Sequence, residues 1–259
     1  MGFGLLLLLA GCGDAGHVAQ LSEHSTEAYR VAPLGGPKPL SGGIRCGQRI
    51  HSAVLDRASY ATVVPHIAIA YAKPGRGRVL ERMKRIDQNG YPTVVGVVDV
   101  RAGSDCKPSW YRVQLPTPPN GSTGWVNAKA VRTYAAVSRI VVKLSTRSLV
   151  VYRSGRLVFR ARVAVGAPQT PTPVGRYFVN GRFLLSSPDG PFGVAALGIS
   201  AHSNVLKHWV QGGPIALHGT DDPASIGSAS SHGCIRLTNS DMRHLFFLTP
   251  AGTPVMIRR

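Results

Sequence analysis

The chain has 259 residues, enough for two modest domains and a sizeable hydrophobic core. With 30 glycines, 19 prolines and 44% hydrophobic residues, its composition favours a loop-rich β protein over a helical bundle. The net charge of +18 is spread evenly, since residues 46–137 carry 13 basic and 5 acidic groups and residues 138–259 carry 14 and 4. This even excess fits a polyanionic surrounding or plain solubility. Without a basic block, a recognition helix or zinc-finger spacing, nucleic-acid binding is excluded as the leading function.

The first residues, MGFGLLLLLAGCGDAG, contain an apolar run from Phe3 to Ala10 that is too short to span a bilayer. The small residues before Cys12 resemble the cleavage box of a bacterial lipoprotein, although no lysine or arginine precedes the run. We therefore expect residues 1–12 to be a lipoprotein-type signal segment, with Cys12 lipidated and the folded part exported but anchored to the membrane. An ordinary cleaved signal is the alternative. Residues 13–45 are predicted to be a flexible tether.

Residues 46–137 are predicted to form a small β domain. Between residues 58 and 135, short alternating apolar stretches are separated by turn sequences such as KPGRG, QNGYP and RAGSD, which is typical of a small barrel. The WYRV stretch at Trp110 and the GWV stretch at Gly124–Val126 resemble two strands of a bacterial SH3-like domain. The alternative is a small β domain of another kind with two core tryptophans.

Residues 138–259 are predicted to form a second, β-rich domain with few short helices. From 138 to 166 the sequence alternates strongly, with TRS and SGR at the turns, which predicts three antiparallel strands joined by hairpins. We expect strands in GPIALHG, ending on His218, and in GTPVMIRR at the end of the chain. Short helices are predicted for HSNVLKHW (202–209) and for TNSDMRHLFFLTP, with a cap at Asn239 or Ser240.

One of only four cysteines, Cys234, lies within SASSHGCIRLTNSD. The thiolate form of cysteine is the nucleophile, so a nearby imidazole has to accept the proton of the thiol. His232 shares a face with Cys234 in an extended segment, and His218, at the end of a predicted strand, is the more usual distant partner. A buried inert thiol is one alternative. A zinc site of His218, His232 and Cys234, with Asp221 or Asp222, is another, but no fourth ligand stands at the expected spacing.

The segment HGTDDPASIGSASSHGCIRL resembles the active-site stretch of the YkuD-type catalytic domain of L,D-transpeptidases. TPTPVG at 170–175 and the final GTPVMIR also resemble that family, so the resemblance spans about residues 138–258. It implies a nucleophile at Cys234, a base at His218 and an imidazole oriented by the carbonyl of Gly219. It further implies an oxyanion hole from the N–H groups of His232, Gly233 and Cys234.

The resemblance also implies the substrate and the reaction. Peptidoglycan stem peptides would be donor and acceptor, with Arg236 holding an anionic end of the donor. Ser231 and Thr220 are candidate substrate contacts, although turn residues of this type more often bond their own loop. The cysteine would form a thioester with a tetrapeptide stem, and an amine of a second stem would resolve it into a 3→3 crosslink. Carbapenem-type inhibitors are expected to acylate Cys234, and no cofactor or metal is expected. The alternative is an inactive or weakly hydrolytic (L,D-carboxypeptidase) wall-binding lipoprotein.

The remaining cysteines, Cys46 and Cys106, form an even pair. In an oxidising compartment two such cysteines are expected to form a disulfide, which leaves Cys234 as a free thiol. Two unpaired thiols at Cys46 and Cys106 are the alternative.

Overall fold

The computed structural model describes residues 49–50, 59–75, 77–209 and 213–259. The predicted signal segment 1–12 with Cys12, the tether 13–45 and Cys46 lie outside these residues. Within the described residues the protein is mainly β, as predicted, and no helix there combines the length and the hydropathy needed to cross a membrane.

The first sheet is antiparallel and contains the strands up to Ala135. Its order is β4-β3-β7-β6-β5-β2-β8, with β1 paired to β5. The two tryptophan-containing stretches of the sequence are neighbours in it, since Arg112 of β6 pairs with Trp125 of β7. An SH3-like identity for this sheet stays a prediction. The strands are β1 (Arg49–Ile50), β2 (Ser59–Val63), β3 (Ile67–Tyr71), β4 (Val79–Lys84), β5 (Val94–Ala102), β6 (Pro108–Gln114), β7 (Thr123–Asn127) and β8 (Val131–Ala135).

The second sheet begins at Ser138 and has the order β11-β10-β9-β18-β13-β14-β15-β17, while β12 and β16 pair separately. Two neighbours in it are parallel, β18 with β9 and β15 with β17. The strands are β9 (Ser138–Lys143), β10 (Ser148–Arg153), β11 (Arg156–Arg162), β12 (Val165–Gly166), β13 (Gly175–Leu184), β14 (Ala195–His202), β15 (Pro214–His218), β16 (Ala229–Ser231), β17 (Ile235–Arg236) and β18 (Pro254–Arg258).

The three predicted hairpin strands of this domain are confirmed as β9, β10 and β11. Their alternating valines and leucines place Ile140, Leu149 and Val151 in the core, each with no exposed surface. The β10–β11 turn is made by Ser154 and Gly155, both with positive φ, at 49° and 83°. Two residues of positive φ match the right-handed twist of the hairpin strands, which fixes their register.

The single α-helix among the described residues, α1 (Asn239–Leu248), confirms the prediction, but its cap does not lie at Asn239 or Ser240. Thr238 caps the helix by accepting a hydrogen bond from the Asp241 N–H at 3.1 Å. Met242, Leu245 and Phe246 are buried against the sheet. The prediction of a helix at residues 202–209 was wrong. The Ser203 hydroxyl accepts from the Val205 and Leu206 N–H groups and closes a local turn there instead.

The two domains share one core residue and several hydrogen bonds. Phe178 of β13, 2% exposed, belongs to the apolar cluster of the first sheet, whereas its neighbours Tyr177 and Val179 belong to that of the second. The Asn120 side chain accepts from the His202 N–H at 2.8 Å and donates to the His202 carbonyl at 2.7 Å, so it binds the backbone of the last residue of β14. These contacts hold the first sheet against the sheet that carries Cys234.

Gly252 lies where the two domains meet, since a Cβ built on it would overlap the ring of Tyr60. Its φ is +82°, nearly that of Gly155 at +83°, where a Cβ would meet nothing within 4 Å. Gly155→Ala should therefore cost about 1 kcal/mol of unfolding free energy from backbone strain alone. Gly252→Ala should cost about 1–3 kcal/mol more from the steric conflict. Urea unfolding of both variants measures the difference, and equal losses would show that Tyr60 does not constrain this position.

Candidate active site

Two neighbouring strands, β15 and β17, bring the predicted catalytic residues onto one face of the second sheet. Leu217 pairs with Ile235 and His218 with Arg236 across the parallel strands β15 and β17. Because side chains alternate between faces, Ala216 and His218 share a face with Cys234 and Arg236. The opposite face is covered by α1, so the site is supported from behind.

His218 has no exposed surface and is held by its own chain. Its Nδ1 lies 2.5 Å from the carbonyl oxygen of Gly219, as the resemblance to the YkuD-type domain implied. An N–H at Nδ1 donating to this carbonyl leaves Nε2 as the proton acceptor. The ring of Phe192 contacts the imidazole edge-on, with centroids 5.1 Å apart. Burial lowers the pKa of His218 to about 4, the Gly219 hydrogen bond opposes the shift, and the charge of Arg236 adds to it. His218 is therefore a neutral imidazole at neutral pH.

Cys234 is also fully buried, in a small apolar cluster with Phe183, Ala196 and Ala216. Its Sγ accepts a hydrogen bond from the Ala216 N–H at 3.3 Å. Diagonal neighbours on adjacent strands lie about 7–8 Å apart, within reach of an imidazole, which describes Cys234 and His218. The strand pairing thus makes Cys234 and His218 diagonal neighbours on one face, although 15 residues separate them in the sequence.

The expectation of a free thiol at Cys234 was wrong for this state of the protein. Neither cysteine of the described residues is free, since Cys106 and Cys234 are both disulfide-bonded. The other two cysteines of the chain, Cys12 and Cys46, lie outside the described residues, so the Cys46–Cys106 pairing stays a prediction. An apolar site without exposed surface does not by itself keep a thiol reduced in an oxidising compartment.

The loop before Cys234 is fixed by the TPTPVG segment. Thr172 Oγ1 donates to the Gly233 carbonyl at 2.8 Å, and Thr170 Oγ1 donates to the Ser231 carbonyl at 3.0 Å. Ser231 Oγ donates to the Cys234 carbonyl at 2.5 Å and accepts from the Gly233 N–H at 3.1 Å. The hydroxyl of Ser231 and the amide of Gly233 are therefore used inside the loop. The His232 and Cys234 amides remain the candidate oxyanion donors.

The other predicted site residues have separate positions. Thr220 is buried, and its hydroxyl accepts from the Asp222 N–H at 3.0 Å, which closes a turn. The ring of His232 packs against Trp209, with centroids 5.5 Å apart. Among the described residues no group of three or more His, Cys, Asp or Glu side chains could hold a metal ion.

Sequence reasoning treated Asn239 only as a helix cap, but its side chain ties together the segments around His218. Its Oδ1 accepts from the N–H groups of Val194 and Thr220 at 3.3 and 3.2 Å, and its Nδ2 donates to the Pro188 carbonyl at 3.1 Å. A Cβ on Gly219 would overlap this oxygen, which explains the glycine after His218. No local pattern reveals such a role, because the partners lie up to 51 residues away.

A family model for the L,D-transpeptidase catalytic domain (YkuD) matches residues 137–257. The "Putative L,D-transpeptidase YkuD" of Bacillus licheniformis is 40% identical over 119 residues, which cover 46% of this chain and 64% of that protein. Its namesake in Bacillus subtilis is 35% identical over 126 residues, which cover 49% of this chain and 69% of that protein. The chain belongs to the L,D-transpeptidase family. Among solved structures, an L,D-transpeptidase from Mycobacterium smegmatis is 15% identical with a TM-score of 0.42, and the match covers 76% of this chain and 100% of that chain.

The buried His218 makes the stability of this L,D-transpeptidase depend on pH. The unfolded chain binds a proton on His218 below about pH 6.5, whereas the folded protein resists protonation down to about pH 4. Stability is therefore fully present above pH 6.5 and falls as the pH drops towards 4, by on the order of 1–3 kcal/mol. Urea unfolding at pH 7 and pH 4.5 should show a smaller loss for His218→Gln than for the parent. His66→Gln, at an exposed position, is the control, and a parent-like slope in His218→Gln would contradict the assignment.

The Asn239 contacts predict graded effects of two variants. Asn239→Ala leaves two backbone N–H groups without their acceptor, so it should cost about 1–3 kcal/mol of unfolding free energy and reduce turnover. Asn239→Asp keeps an acceptor oxygen at the start of a helix, where a carboxylate is favourable, so it should retain more of both. Denaturant titration and D-alanine release measure the two effects. Equal losses in both variants would show that the acceptor oxygen is not what matters.

Proposed function

We propose that the protein is a peptidoglycan L,D-transpeptidase that forms 3→3 crosslinks through a thioester on Cys234. The observation that supports this most is the shared sheet face of His218 and Cys234, with the imidazole oriented by Gly219. The family membership supports the class of reaction. The buried pair of His218 and Cys234 supports a mechanism in which an imidazole accepts the proton of a nucleophilic thiol.

In the first half of the reaction the reduced Cys234 transfers its proton to His218 Nε2 and attacks the carbonyl carbon of the third residue of a tetrapeptide stem. A C–S bond forms, the amide C–N bond breaks, and His218 returns the proton to the departing D-alanine amine. A neutral imidazole is the required starting state, because a protonated one could not accept the thiol proton. The His232 and Cys234 amides would stabilise the oxyanion, and Arg236 would bind an anionic group of the donor.

In the second half an amine of another stem attacks the thioester. A C–N bond forms, the C–S bond breaks, Cys234 leaves as a thiolate, and the amine proton passes to His218. Water in place of the amine would give carboxypeptidase activity. We further propose that the chain acts on the outer face of the cytoplasmic membrane or in the periplasm, exported and anchored by a lipid on Cys12.

The test is mass spectrometry of tetrapeptide stems incubated with protein reduced by dithiothreitol, because the thiolate chemistry requires Cys234 in its reduced form. The parent should release D-alanine and form dimers, and Cys234→Ala should lose at least about a thousandfold in rate. A carbapenem should add its mass to the parent and not to Cys234→Ala.

Cys106→Ala is the matched control, since it removes the other described cysteine and leaves the site unchanged; it should retain turnover. Substantial D-alanine release by Cys234→Ala would refute the mechanism. A reduced parent that binds peptidoglycan but yields neither product would instead establish the inactive wall-binding alternative.

A further inference from the structure

A cavity of about 560 Å³ lies between the first sheet and the sheet that carries Cys234. One wall is formed by β4, an edge strand of the first sheet, and by the turn that follows it. The other wall is formed by β13, β14 and β15. We call this space the interdomain cavity. Its size is in the range of a site for a small ligand or a peptide end.

The wall of the interdomain cavity that is formed by β13, β14 and β15 contains a row of small residues. Gly181 pairs with Gly198 across β13 and β14, and Gly198 pairs with Ala216 across β14 and β15. All three line the cavity. The next strand continues this row with Cys234, whose Sγ accepts from the Ala216 N–H at 3.3 Å. The row therefore runs across the sheet to the sulfur, on the same face as His218.

Two buried polar atoms along the interdomain cavity have no hydrogen-bond partner within the described residues. One is Nδ1 of His202, a residue only 9% exposed, and the other is Oδ1 of Asn89. Buried polar atoms of this kind are rare in folded proteins and call for a ligand or water. Burial lowers the pKa of His202, so a neutral imidazole faces the cavity rather than a cation.

The charges on the opposite wall are unusual for this chain. The chain has a net charge of +18 and only four acidic residues between positions 59 and 137. Two of these four, Glu81 and Asp87, line the interdomain cavity. Asp87 is held in place, because its Oδ1 accepts from the N–H groups of Asn89 and Tyr91 at 2.8 and 3.0 Å. Arg82 and Lys84 lie on the same wall. Carboxylates beside cations suit a zwitterion, which carries an ammonium and a carboxylate close together.

We propose that the interdomain cavity binds the acceptor stem through its amine-bearing amino-acid end, with Asp87 and Glu81 attracting the ammonium group into the cavity before it loses its proton to solvent and becomes the attacking amine. The proposal rests on the proposed function. An amine entering along the row of small residues reaches the thioester on Cys234 from the side of Ala216. In the proposed function Arg236 binds the donor. Arg236 pairs with His218 on the same face of the sheet, beside the row that ends at Cys234. Donor and acceptor would thus approach the sulfur from different directions.

The experiment uses reduced full-length protein, a donor stem whose side-chain amine is acetylated, and a separate acceptor with a free amine. Asp87→Asn removes the charge but keeps the oxygen that accepts from Asn89 and Tyr91. It should raise the KM for the acceptor about tenfold, which corresponds to the loss of one charged hydrogen bond. It should also lower the ratio of crosslinked to hydrolysed product. Glu81→Gln should add to the effect.

Asp105→Asn is the matched control, because Asp105 holds a similar turn by accepting from the Lys107 N–H at 3.1 Å but does not line the cavity. An acceptor KM that is the same in Asp87→Asn and Asp105→Asn overturns the proposal. The proposal is also overturned if Asp87→Asn fails to form the acyl-enzyme, or if it distinguishes a donor with an acetylated amine from a donor with a free amine. Both outcomes would assign Asp87 to the donor. Failure of the parent to release D-alanine would refute the proposed function itself.

Discussion

The active site depends on the parallel pairing of two very short strand segments, β15 and β17. Parallel neighbours need a connection between them, and here residues 219–234 provide it while also carrying the loop that presents Cys234. The pairing of Leu217 with Ile235 buries both side chains under α1, and this burial sets the register of the opposite face. A slip of one residue would turn Cys234 away from His218, so the apolar core specifies the catalytic geometry.

Much of this arrangement could be predicted from the sequence. Strong alternation predicted β9 to β11, and apolar residues at helical spacing predicted α1. The family motif predicted that Gly219 orients the imidazole. Features made by side chains far apart in sequence could not be predicted in this way. Asn239 acts through backbone groups of Val194 and Thr220, and the role of TPTPVG became clear only when Thr170 and Thr172 were found to bond the loop of Cys234. The prediction of a helix at 202–209 was wrong because the Ser203 hydroxyl closes a turn there, and the hydrophobic periodicity of the sequence does not reveal such a turn.

Burial has two opposed consequences for the proposed chemistry. It keeps His218 neutral, which suits a base, and it excludes water, which favours an amine over hydrolysis of the thioester. It also removes the solvation that a thiolate needs, so the charged pair has to be stabilised by the site itself. The Ala216 N–H donates to Cys234 Sγ and offers such stabilisation from the backbone.

The first sheet is more than an appended wall-binding module if it forms one side of the substrate site. A separate module would need only a flexible connection, yet here Phe178 packs in the core of the first sheet and the Asn120 amide binds the backbone at the end of β14. These contacts fix the wall that carries Asp87 relative to the row that ends at Cys234. A reaction between two bulky stems gains most from such fixed geometry, because each substrate has to be held before the amine can reach the thioester. The contacts between the domains are therefore what a transferase would require and what a simple anchor would not.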